Sequence, residues 1–146
     1  MNLKQIESFI GEHFSDKFDV VLEVLRNKEG VVSGATCGYF KSLSPPSHHF
    51  LVNSAKYREV SSFYLKASLL HEVGHAESNQ SIICFAPSVA REVAAQKWAI
   101  EYASRNKFPE IKGALFDLLE VWKNQDCKNG KSIHTLAYEE IMSCRN

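Results

Sequence analysis

Apolar residues recur along this chain in two rhythms, and the change from one to the other divides it. Leu3, Ile6, Phe9, Ile10 and Phe14 fall at helical spacing and predict a first helix from about Asn2 to Phe14. From Phe18 to Leu25 the rhythm shortens to two, with Val20, Leu22 and Val24 on one face, as in a strand. Asn27 to Gly30 supplies turn chemistry, and a second strand is expected over Val31 to Phe40, weakened by Gly34 and Gly38. Pro45-Pro46 marks a loop from Ser42 to Ser47, after which His49 to Val52 forms a short third strand.

Beyond Asn53 the helical rhythm returns. Ser61-Ser62 offers a helix start, and Leu65, Leu69, Val73 and Ala76 then form one apolar stripe. Pro87-Ser88 opens another helix running to about Ser104. Lys107-Phe108-Pro109 breaks it, and Glu110 to Lys123 continues as a helix with Ile111, Leu115, Leu118, Leu119 and Trp122 on its buried side. A polar loop from Asn124 to Gly130 leads to a last short helix over Thr135 to Cys144. Strands followed by a run of helices predict an α+β fold, with a small, mainly antiparallel sheet of about three strands packed against helices.

Composition adds bounds. The 146 residues predict one domain, 1–146, able to bury a core without disulfide staples. Seventeen basic and seventeen acidic residues cancel, so net charge offers no footprint for nucleic acid or an anionic membrane. Neither a secretory leader nor an apolar run of membrane-spanning length is visible. Cys37, Cys84, Cys127 and Cys144 form no Cys-x-x-Cys pair and are expected to be reduced thiols in a cytoplasmic protein, mostly acting as small hydrophobes.

The candidate chemistry lies on the helix opened by Ser61-Ser62. His71 and His75 are four residues apart, on one helical face, where two imidazoles can bind a single zinc ion. Glu72 lies about 100° around the helix from His71. It is poorly placed as a ligand but well placed to take a proton from a metal-bound water. With six histidines and thirteen glutamates in the chain, a chance His-Glu-x-x-His match is expected about 0.02 times, so the spacing is informative. Gly74 inside the motif costs roughly 1 kcal/mol relative to alanine, which predicts close approach of a strand or of substrate backbone.

Catalytic zinc needs a third protein ligand. Glu92, in the first turns of the next helix, is the expected one, with Glu77 and Glu101 as fallbacks. Gln96, one turn beyond Glu92, can hydrogen-bond a metal-bound histidine from behind. His134, Tyr138, Tyr102, His48 and His49 are the residue types able to stabilise an oxyanion, and the sequence does not choose among them. The spacing of Cys127, His134 and Cys144 fits no common second zinc site.

At these residues the chain resembles a family. His71-Glu72-Val73-Gly74-His75-Ala76, followed by Arg91-Glu92-Val93-Ala94-Ala95-Gln96-Lys97-Trp98-Ala99, is similar to the ImmA/IrrE-type metallopeptidases, and Phe50-Leu51-Val52-Asn53 resembles their strand before the metal helix. The resemblance spans roughly 50–103. It implies a zincin-like fold of the gluzincin kind, one zinc ion on His71, His75 and Glu92, and Glu72 as catalytic base. It also implies a protein or peptide substrate, in this family often a transcriptional regulator. Ala94 stands where the family usually has an acidic residue, and Ile100-Glu101-Tyr102-Ala103 departs from its usual continuation. The alternative expectation is a zinc-bound module that regulates a partner by binding alone.

Overall fold

A computed structural model describes residues 2–14, 20–25, 36–43, 46–53, 59–78, 88–127 and 130–143. Their order is α1 (Leu3–Phe14), β1 (Val20–Leu25), β2 (Cys37–Leu43), β3 (Pro46–Asn53), α2 (Ser62–Ser78), α3 (Val89–Arg105), α4 (Pro109–Lys123), β4 (Asp126–Cys127), β5 (Gly130–Lys131) and α5 (Ile133–Ser143). This is the expected α+β order. The turn expected at Asn27–Gly30 lies outside the described residues.

The sheet differs from expectation in one respect. Its order is β1-β3-β2, and while β2 and β3 are antiparallel, β1 runs parallel to β3. It is therefore mixed rather than mainly antiparallel, and β1 and β2, adjacent in the chain, are not neighbours. The reason is visible in β3. Phe50, Leu51 and Val52 are all buried although they alternate between the faces, and a strand apolar on both faces takes the centre. The Ser42–Ser47 loop is shorter than expected. Pairing runs to Leu43↔Pro46, because proline is tolerated as the first residue of a strand. The Asn124–Gly130 segment likewise contains half of a two-stranded ribbon, Asp126↔Lys131 and Cys127↔Gly130.

The helices begin where local chemistry starts them. Ser61 Oγ accepts from Tyr64 N–H at 3.1 Å, and Ser88 Oγ accepts from Arg91 N–H at 3.2 Å, satisfying amides that the helices leave open. Pro109 occupies the first turn of α4, after Lys107 has turned the chain at φ 57°.

α2 is the central element. Its expected stripe, Leu65, Leu69, Val73 and Ala76, is buried, but so are Ala67, Leu70, His71, Gly74 and His75. The helix is enclosed by β2, α3 and α4 rather than half-solvated. One core cluster joins α1, β2, β3 and α2 through Ile6, Phe14, Cys37, Phe50 and Leu69. A second joins α3, α4 and α5 through Val93, Leu119, Trp122 and Ile141. No helix among the described residues is long and apolar enough to cross a membrane.

Candidate metal centre

Where α2 crosses α3 the two backbones nearly touch. A Cβ on Gly74 would lie 2.3 Å from the carbonyl oxygen of Ala95. The glycine is thus explained by a helix, not by the strand or substrate expected from sequence. Ala95 and Ala99 are fully buried and keep that side of α3 small. This close crossing brings Glu92, one turn before Ala95, to the two histidines.

His71 Nε2 stands 3.0 Å from Glu92 Oε2, and His75 Nε2 stands 3.3 Å from the same oxygen. All three residues are buried, and their ligand atoms lie within 4.8 Å of one another, a group that can hold a metal ion. Among the described residues it is the one such group. The fallback acids lie elsewhere: Glu101 is exposed, 3.9 Å from Arg105, and Glu77 is outside the group at the end of α2.

The hydrogen bonds behind His71 say which species fits between these atoms. Gln96, fully buried, donates from Nε2 to the Leu115 carbonyl at 2.9 Å. Its Oε1 therefore accepts from His71 Nδ1, at 2.8 Å. A neutral imidazole that donates from Nδ1 carries its lone pair on Nε2. At His71 that lone pair meets a carboxylate oxygen, and two acceptors at this distance repel unless a proton or a cation lies between them. Two imidazole nitrogens and one carboxylate oxygen form a donor set suited to zinc and to other divalent ions. The residues fit the metal that the sequence implies.

The two carboxylates of the centre differ. Burial alone would raise the pKa of Glu92, but in the metal-free chain its contacts with His134, His71 and His75, with a proton where an ion would lie, outweigh it and hold the carboxyl far below its usual range. For Glu72 burial prevails and raises the pKa, against the opposing pull of His71 and His75. Burial of the Cys37 thiol on β2, and after it the negative charge of Glu72, raise the pKa of that thiol. Burial would lower the pKa of His75, but the Glu92 hydrogen bond and the charges of Glu72 and Glu92 raise it.

Of the five oxyanion candidates, the structure brings one to the centre. His134, on α5, places Nε2 at 3.4 Å from Glu92 Oε2, beside the Trp122 ring. His48 bonds the Tyr39 hydroxyl and His49 bonds Ser47 on the sheet. Tyr102 stacks on Trp98, and Tyr138 packs against the α3–α5 cluster. Trp122, read from sequence only as an apolar helix position, is also a wall of the centre, edge-on to His71 at 5.1 Å between ring centroids. Nothing in the sequence marks that role. Cys37 is buried, as expected of a thiol acting as a small hydrophobe. Cys84 and Cys144 lie outside the described residues.

These geometric relations stand without a relative to lean on: no family model, no curated protein and no solved structure matches the chain.

Proposed function

We propose that the chain is a zinc-dependent metallopeptidase that hydrolyses a peptide bond in a specific protein substrate such as a transcriptional regulator. The observation that carries this reading is the convergence of His71 Nε2, His75 Nε2 and Glu92 Oε2, with Glu72 beside them as a separate carboxylate of opposite pKa tendency. Paired acids pushed apart in this way are how one site divides ligand and proton-transfer roles. Resemblance to the ImmA/IrrE-type metallopeptidases over 50–103 supports the same reading, with a gluzincin-like zincin fold as part of the proposal.

In this proposal His71, His75 and Glu92 hold the ion, and Gln96 fixes the His71 ring so that Nε2 faces it. Bound there, zinc supplies a water of lowered pKa and a Lewis acid for the scissile carbonyl. Glu72 takes the proton from the attacking water and hands it to the leaving amine. Burial suits it to this, because a carboxyl with a raised pKa is a stronger base than an ordinary one. Cytoplasmic residence belongs to the same proposal, supported by the free thiol of Cys37.

The test is to load the full chain with zinc, incubate it with a proteome-derived peptide library, and identify new termini by mass spectrometry. The expected result is a reproducible set of termini with the wild type and none with Glu72→Gln at equal zinc content. The same termini from both proteins would exclude this mechanism.

A further inference from the structure

The first turn of α5 is pinned to the end of α4 by one buried side chain. Thr135 Oγ1 is 2.7 Å from the Trp122 carbonyl and 2.8 Å from the Gln125 carbonyl, both acceptors at the C-terminal end of α4. Ser132 Oγ in turn accepts from the Thr135 amide at 3.0 Å and caps α5. The position of this turn is therefore set against Trp122, and the preceding residue, His134, is laid over the Trp122 ring with 4.9 Å between centroids. That is the placement which brings His134 Nε2 to 3.4 Å from Glu92 Oε2.

Glu92 Oε2 is thus approached by three imidazole nitrogens, at 3.0, 3.3 and 3.4 Å. Two belong to the group that can share an ion, whereas His134 does not. Its side chain is 40% exposed, against 5% and 6% for His71 and His75, so it approaches the carboxylate from the outer side. A donor that holds a ligating carboxylate in place raises the affinity of the whole set, because less freedom is lost when the ion binds. Gln96 does this for His71 from the inner side of the centre.

We propose that His134 is a positioning residue for Glu92, and that Thr135 sets its place, so that the α4–α5 corner governs how tightly the centre retains its ion. This rests on the reading that the centre binds a divalent cation, and deepens it.

The experiment is zinc titration of the metal-free full chain in competition with a chromophoric chelator, with folding followed by circular dichroism. His134→Ala should weaken zinc binding about 10–100-fold, the range for loss of such a partner. Thr135→Val should weaken it by a smaller factor, and Thr135→Ser, which keeps the hydroxyl, should restore it. His134→Gln, which keeps an N–H at similar reach, should regain part of the loss, and His134→Leu, which has no donor, takes the place of His134→Ala if that variant does not fold. In a Glu92→Gln background, His134→Ala should cost less than about twofold more, because the two residues act as a unit. Unchanged zinc affinity in the folded variant that lacks the His134 donor, no regain in His134→Gln, or an undiminished effect in the Glu92→Gln background would overturn the proposal and leave the metal reading intact. A wild-type chain that binds no zinc would instead remove the metal reading itself.

Discussion

The α2–α3 crossing and the side of α2 that carries Glu72 each present a carboxylate near the same two histidines, Glu92 buried and Glu72 half-buried, and treat it in opposite ways. At the crossing, Glu92 is surrounded by imidazole nitrogens and its carboxyl is held far below the ordinary range. At Glu72, burial raises the pKa, and no comparable set of imidazole hydrogen bonds offsets it. The two acids share a residue type and a neighbourhood. What separates them is whether donors reach the carboxylate, and that is decided by the backbone contact at Gly74. The difference matches the roles proposed for the two acids, Glu92 as an anionic ligand and Glu72 as the group that exchanges a proton.

The most damaging change to this contrast removes the ligand. Glu92→Ala or His71→Ala should weaken zinc binding by more than about 100-fold, beyond the range for loss of an outer partner, as read by chelator competition. In the metal-free protein Glu92→Ala should also destabilise by about 3–5 kcal/mol at neutral pH, measured by denaturant unfolding, because it breaks a buried ionic cluster. The sign follows from linkage. The depressed pKa of Glu92 contributes stability that is present above the ordinary carboxyl range and is lost as pH falls toward its folded-state value. For Glu72 the raised pKa works the other way, favouring the fold at low pH and losing that contribution as pH rises through the folded-state value. Glu72→Gln should therefore leave the metal-free protein as stable as the wild type or more so at neutral pH, the opposite of Glu92→Ala.

Separating the crossing helices comes next. Gly74→Ala puts a methyl against the Ala95 carbonyl, and overpacking of this kind costs about 1–3 kcal/mol. Thermal unfolding should report it, with zinc affinity falling in parallel as Glu92 moves from the histidines. Gln96→Leu leaves His71 Nδ1 and the Leu115 carbonyl without their present partner, and should cost about 1–3 kcal/mol in the same assay. The smallest effect is expected at Glu101, exposed and paired only loosely with Arg105. Glu101→Ala should change stability by less than about 1 kcal/mol and leave zinc binding alone.

Much of the centre was legible in the sequence because helical periodicity fixes it. His71, Glu72 and His75 are placed by four consecutive peptide units, and Glu92 with Gln96 by one turn of α3. Ser61 and Ser88 announced their helices for the same local reason, whereas Pro109, read as a break, is the first residue of α4. What was not legible depends on distant packing. The parallel pairing of β1 with β3 follows from which strand is buried on both faces, and a chain-order reading does not reveal it. The partner of Gly74 is on another helix. His134 lies 42 positions beyond Glu92 in the chain, and the packing of α5 on α3 and α4, with the Thr135 bonds to the end of α4, brings it back.

The most direct test of the centre is zinc content after dialysis of the zinc-loaded chain, compared among wild type, Glu72→Gln and Glu92→Ala. The account predicts one equivalent in the first two and essentially none in the third. Full retention by Glu92→Ala, or equal loss from Glu72→Gln and Glu92→Ala, would contradict the division of labour between the two carboxylates.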